Sequence, residues 1–209
     1  IHNKFRLTTY VKSGCPVIPE FERVGIDRHC RDFSRKAFAL AESGRYQLVI
    51  ISQNWTGFSS RSDQICVYEG SLCRPLNHSA DPTLALKRVK SAIEAVMANR
   101  VHVAVVDATP YFLFNVPRRI SRNLFWFGKS ENSFDASAFF SLNKEYDELF
   151  ATLAGNPYFT LLSLRPQLCR LERCAIYDEK MMLPIFKDND HFNPQWIRQN
   201  GGIFVPLAG

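Results

Sequence analysis

Three largely apolar segments, Tyr46–Ser52, Val101–Asp107 and Tyr158–Ser163, recur along the chain with helix-period segments between them. An apolar run without alternation marks a strand covered on both faces, an environment found mainly in parallel sheets. From Asp27 to about Ser43, the residues Phe33, Ala37, Phe38, Leu40 and Ala41 fall at helical spacing, and Gly44 supplies a stop. Asp81-Pro82 reads as a helix start, Asp capping and Pro in the first turn, and Leu84, Leu86, Val89, Ile93 and Val96 carry that helix to about Ala98. A further helix spans Ala136–Ala154, and Asn193-Pro194 repeats the cap-plus-proline pattern before a short last one. The β-branched and aromatic segment Arg6–Val11 predicts a short strand, and a polar, cysteine-bearing loop is expected after Ser52 through Asn77. Helices alternating with buried strands predict an α/β fold, a doubly wound parallel sheet flanked by helices in a three-layer, flavodoxin-like arrangement. The 209 residues suit one such domain, 1–209, with no internal boundary.

Composition narrows the partners. No apolar run approaches the roughly 20 residues that span a bilayer, and Ile1–Arg6 lacks the apolar core of a signal peptide. A mature fragment, or a domain cut from a longer chain, is expected. The net charge is +6, but the basic residues are scattered and the densest group is Arg118, Arg119 and Arg122. A nucleic-acid site usually leaves a stripe of Lys and Arg on one element, so no nucleic-acid partner is expected. An anionic glycan or membrane face suits a scattered basic surface better.

The six cysteines fall as Cys15/Cys30, Cys66/Cys73 and Cys169/Cys174. Three sequence-local pairs, with no Cys-x-x-Cys and no histidines at zinc spacing, read as disulfides made in an oxidising compartment. The alternative is six reduced, buried thiols.

The block Pro184-Ile-Phe-Lys-Asp188-Asn-Asp-His191-Phe-Asn-Pro194 carries the most chemistry. An aspartate three residues before a histidine can hold one imidazole nitrogen while the other faces a cleft, the acid–base half of a serine-hydrolase triad. The other half is missing: neither Gly-Asp-Ser nor Gly-x-Ser-x-Gly occurs in the chain. Ser13, Ser52 and Ser71 are candidate nucleophiles by residue type, but none lies on a recognisable strand–turn–helix elbow, so none is assigned. Two bland alternatives stand beside the dyad. One is a surface Asp bonded to a loop His; the other is a divalent-cation site on Asp188, Asp190 and His191, which needs further ligands from elsewhere. Asn54, after the strand ending at Ser52, has an amide that can donate to an oxyanion, or simply bond its own loop.

Together these segments resemble the SGNH-hydrolase domain fused to bacterial membrane acyltransferases of the acyltransferase-3 family. The matching pieces are Lys12-Ser-Gly-Cys-Pro16 with Cys30, the strand ending Ser52-Gln-Asn-Trp55, Leu168-Cys169 with Cys174, and Phe186-x-Asp188-x-x-His191. They run in order over nearly the whole chain. The resemblance implies His191 as general base, Asp188 as its orienting partner and Asn54 as an oxyanion donor, although the Asn54 block lacks the family's Gly-x-Asn-Asp form. It implies an O-acyltransferase or esterase working on acyl groups of a cell-envelope glycan such as lipopolysaccharide, with a glycan acceptor, an acyl donor, and no metal or organic cofactor. It also implies a periplasmic location, with tethering to the inner membrane through an acyltransferase domain in the same natural polypeptide. The family's Gly-Asp-Ser block precedes the Ser-Gly-Cys-Pro loop by one strand and one helix, so a missing first strand and helix are expected. That strand would lie mid-sheet, between those near Thr8 and Val49. An exchanged element from a neighbouring molecule, or a non-catalytic glycan-binding or assembly domain, remains the alternative. In a binding module Trp55, Trp126 and Trp196 would offer stacking faces for sugars.

Overall fold

The computed structural model describes residues 6–25, 29–55, 64–76, 82–129 and 131–202. The chain divides into two units, Ile1–Gln53 with Arg61–Val103, and Asn54–Ser60 with Ala104–Gly209. The boundary falls within the strand β5 (His102–Val106), whose Val103, Ala104 and Val105 are fully buried. β5 is the middle strand of a three-stranded parallel sheet ordered β2-β5-β7, where β2 is Leu48–Ser52 and β7 is Phe159–Leu162. All three apolar runs are therefore strands of one sheet, and the fold is α/β with helices flanking that sheet.

In the first unit, helix α1 (Cys30–Glu42) buries Cys30, Ser34, Phe38 and Ala41, a single stripe at helical spacing. Asp27, the expected start, lies outside the described residues. The N-terminus is capped from a distance: the buried Glu22 carboxylate of β1 (Phe21–Arg23) accepts from Cys30 N at 2.8 Å and Arg31 N at 3.2 Å. A carboxylate there meets both the orphan amides and the positive end of the helix dipole. The Cys15–Cys30 disulfide ties the Ser-Gly-Cys-Pro loop to the same point. Helix α2 (Pro82–Ala98) buries Val89, Ile93 and Val96, as its periodicity predicts; its expected cap, Asp81, is outside the described residues.

Three expectations are corrected in this unit. Arg6–Val11 forms no strand, and Leu7 and Val11 are largely exposed. β-branched residues favour extended backbone, but a strand needs a ladder partner, and this segment pairs with nothing in a sheet. β2 is not covered on both faces: among the described residues it is an edge strand, with Ile50 and Ser52 exposed and only Ile51 buried. The stretch after Ser52 is not loop throughout. β3 (Ile65–Glu69) and β4 (Leu72–Pro75) form an antiparallel hairpin stapled by Cys66–Cys73, with β1 on the other side of β3.

The second unit continues from β5 into α3 (Val116–Phe127), which the sequence reading left unassigned. Asn115 caps it, accepting from Arg118 N at 3.0 Å, a Pro follows in the first turn, and Gly128 ends it in the left-handed conformation. Then come β6 (Ser133–Asp135), α4 (Ser137–Leu153), β7, the short α5 (Arg165–Leu168), β8 (Cys169–Arg170) and β9 (Arg173–Ala175). β6, β9 and β8 make a small antiparallel sheet, with Cys169–Cys174 bonded across the β8–β9 turn. β10 (Tyr177–Asp178) pairs with β11 (Leu183–Pro184), and α6 (Pro194–Gln199) closes the described chain. All three expected disulfides are formed.

Candidate active site

The loop bearing Asp188 and His191 is shaped by the residues around it. β11 delivers the chain to Phe186, which is fully buried and bridges Phe192, while Lys187 N donates to His191 O at 2.9 Å. Lys187–His191 is therefore a tight closed loop. Below it Phe112 meets Phe186 edge-on at 5.2 Å, Phe186 stacks on Phe192 at 5.1 Å, and Phe192 stacks on Trp196 at 5.6 Å. Each such pair contributes on the order of 1 kcal/mol beyond simple burial. Trp196 is anchored in turn, donating from Nε1 to Asp178 Oδ2 at 3.0 Å. From the α3 side, Phe112 N donates to Asn189 O and Val116 N to Asp188 O, at 2.9 and 3.2 Å. On the far side Asn193 accepts from Gln195 N and donates from Nδ2 to Pro184 O, capping α6 and tying it to β11. None of these ties uses the imidazole, so the loop holds its shape for the ring rather than because of it.

Within that frame the Asp188 carboxylate collects three donors. Oδ1 accepts from His191 N at 2.8 Å and Asp190 N at 3.1 Å, and His191 Nδ1 lies 3.1 and 3.0 Å from Oδ1 and Oδ2. Asp190 Oδ1 is also 2.9 Å from Nδ1. Partial burial raises the Asp188 carboxyl's pKa, but the His191 and Asp190 backbone amides and the His191 ring outweigh it, so the group ionises below its ordinary range. With two carboxylates at Nδ1, that nitrogen carries the ring proton of the neutral tautomer, and Nε2 keeps the lone pair. The ring is 67% exposed, so Nε2 is open to an incoming proton donor. This is the geometry of a general base whose tautomer is set by a carboxylate.

Asp188, Asp190 and His191 also offer three ligand atoms within 4.8 Å of one another. Magnesium and calcium take six or more oxygen-rich positions, and zinc four, so these donors would need others to make a site. Asn54 stands exposed just past the C-terminal end of β2. Its neighbour Trp55 is fully buried, donating from Nε1 to Val106 O at 2.8 Å and packed edge-on against Phe150 at 5.0 Å. The structure thus brings Asp188, Asp190 and His191 together in one loop and sets Asn54 on a separate segment. Ser13, Ser52 and Ser71 are exposed, and the next described element after each is a strand rather than a helix.

One cluster at the strand ends escaped the sequence reading, in which Asp107 only closes the segment Val101–Asp107. Asp107, buried at the end of β5, accepts from Ser163 Oγ and from Arg165 Nη2, both at 2.6 Å. The Arg165 guanidinium reaches Asp147 of α4 through two further bonds of 2.6 and 2.7 Å and lies over the Phe139 and Phe140 rings. Burial pushes the Asp107 carboxyl up, against the opposing pull of Ser163 and Arg165. Its only sequence signal was polar residues closing two apolar runs, Asp107 after β5 and Ser163 after β7.

The model of the SGNH domain fused to AT3 domains matches residues 2–206. No curated protein matches the chain. Among solved structures, the lipopolysaccharide acetyltransferase periplasmic domain of Salmonella ser. Paratyphi A is similar, with a TM-score of 0.57 and 13% identity. The match covers 93% of this chain and 68% of that one, and at such identity the likeness shows the fold alone. With a family model running almost from end to end over an α/β fold of the matching kind, the chain belongs to the family of SGNH domains fused to AT3 domains.

Proposed function

We propose that the chain is the acid–base portion of a periplasmic SGNH-type O-acyltransferase or esterase domain acting on an envelope glycan, with its nucleophilic serine on a segment outside these 209 residues. The observation that carries this is His191 Nδ1 held 3.0 Å from Asp188 on an independently braced loop. Acyl transfer on lipopolysaccharide is what the structurally similar Salmonella domain is named for, and three disulfides suit the same compartment. Tethering to the inner membrane through a fused AT3 domain belongs to the same reading.

In this mechanism a serine Oγ attacks the donor's acyl carbon while His191 Nε2 takes its proton. The negative charge passes to the carbonyl oxygen, where backbone amides and the Asn54 amide donate hydrogen bonds. Collapse breaks the bond to the donor, whose leaving atom takes the proton back from His191. A sugar hydroxyl, or water in an esterase, then attacks the acyl-serine and gives its proton to Nε2. As the serine ester bond breaks, that proton returns to the serine oxygen. Asp188 stays ionised throughout and stabilises the imidazolium.

Two features support an outside nucleophile. None of the three candidate serines precedes a described helix, and β2 presents a half-exposed apolar edge to the parallel sheet. A strand added at that edge would pair the free side of β2. A fluorophosphonate probe on a longer polypeptide that includes the upstream segment tests the reading: one upstream serine should be labelled, and more slowly in His191→Ala. No labelling alongside intact glycan binding would favour the binding module instead. That rival now rests on Trp126 alone, 69% exposed, since Trp55 and Trp196 are buried and committed to protein acceptors.

A further inference from the structure

The C-terminal half of α3 exposes what a helix on a protein surface normally hides. Phe125, Trp126 and Phe127 are 80%, 69% and 70% exposed, and Leu124 is 46% exposed. Phe125 and Trp126 pack edge-on at 5.1 Å, so they form one raised cluster. Helical periodicity does not account for it: Val116, Ile120 and Asn123 make the buried stripe, and Phe127 continues that stripe into the open. Contiguous exposed aromatics of this kind mark a contact surface.

The charges around the cluster identify the partner. Arg118, Arg122 and Trp126 fall at helical spacing along one exposed stripe of α3, and exposed Lys129 follows just past Gly128, where the helix has ended. Glu131, just past the helix, is engaged by Arg119 at 3.6 Å, and Arg119 also lies over the Phe114 and Phe134 rings. The exposed arginines and lysine surround the rings with positive charge, which suits an anionic partner. Aromatic rings at a helix end flanked by Arg and Lys are what an interface between hydrocarbon and anionic headgroups accepts.

We propose that the α3 stripe Arg118–Arg122–Trp126, with Phe125, Phe127 and the adjoining Lys129, docks this domain on an anionic bilayer surface. Tryptophan and phenylalanine rings enter the headgroup boundary while the three cations meet lipid phosphates. The proposal is independent of the nucleophile, since docking requires no turnover. It also bears on the dyad: Val116, in the first turn of α3, donates to Asp188 O, and ten residues separate it from Trp126, about 15 Å along the helix. Docking therefore keeps the His191 loop close to the membrane face.

The test is co-sedimentation of the full chain with phosphatidylcholine vesicles, with and without phosphatidylglycerol, combined with tryptophan emission. Binding is expected only to the anionic vesicles and to weaken with salt. Each of Arg118→Gln, Arg122→Gln and Lys129→Gln should weaken it about fivefold. Phe125→Ser/Trp126→Ser/Phe127→Ser should abolish it while leaving the far-ultraviolet circular dichroism unchanged, because all three side chains are exposed. Trp55 and Trp196 are buried, so the blue shift on binding should vanish in Trp126→Phe, which still binds. The proposal is overturned if wild type fails to bind, if it binds neutral and anionic vesicles alike, or if the triple variant binds normally. It is equally overturned if Trp126 emission responds to envelope polysaccharide but not to vesicles.

Discussion

At the scale of single residues, the interaction that matters most is one carboxylate serving three donors. Replacing Asp188 by Asn keeps the shape but lets the amide favour the wrong imidazole tautomer. In a polypeptide supplied with its serine, kcat should fall about a thousandfold in Asp188→Asn. Asp190 also touches Nδ1, so Asp190→Asn should cost about tenfold, and the double variant should cost more than Asp188→Asn alone. The pH dependence follows from the direction of the Asp188 shift. Its folded carboxyl ionises below its unfolded value, so the stabilisation is complete above about pH 4 and is lost as pH falls through the folded pKa. Urea titrations of wild type and Asp188→Asn should accordingly differ at pH 6 and converge at strongly acidic pH; a gap that widened on acidification would contradict this. Asp107 has the opposite sign: buried and pushed up, it favours folding most when protonated, and that contribution is lost as pH rises through its folded pKa.

At the scale of elements, Arg165, the first residue of α5, joins that helix to the end of β5 and to α4 through bonds to Asp107 and Asp147. Removing one member of a buried ionic cluster leaves an uncompensated charge, so Arg165→Ala should cost about 3 kcal/mol by urea denaturation. Arg165→Lys should recover only part of that, because an ammonium cannot bridge both carboxylates with the same fork. The elements legible in the sequence were those whose burial imposes a period. β5 is apolar from Val103 to Val106 because its middle residues are covered on both faces, and α1, α2 and α4 show their buried stripes. α3 was missed because its buried stripe includes a polar Asn123 while its most hydrophobic residues face outward, reversing the usual signal. β3 and β4 were missed because their cysteines and the intervening turn read as a disulfide-bearing loop, and the hairpin is held by that disulfide rather than by alternation. The Asp188–His191 pair was legible because its members lie close in sequence. The Asp107–Ser163–Arg165–Asp147 cluster was not, since it is assembled by the fold from segments far apart.

At the scale of the whole molecule, the open question is what completes the edge of the parallel sheet. β2 is apolar, half-exposed and paired on one side by β5. Such an edge is an invitation to strand addition. Amide exchange in β2 should therefore be faster than in β5 for this chain, and should slow when the upstream segment is present. Equal protection of both strands in the 209-residue protein would argue that the sheet is already finished.

The most direct measurement is hydrolysis of a simple acetyl ester by the purified 209-residue protein, beside the same protein carrying His191→Ala. Both should show only background turnover, with activity and its dependence on His191 appearing once the upstream serine segment is supplied. Hydrolysis by the 209 residues alone at an enzymatic rate, abolished by His191→Ala, would place the nucleophile within this chain and contradict the central claim.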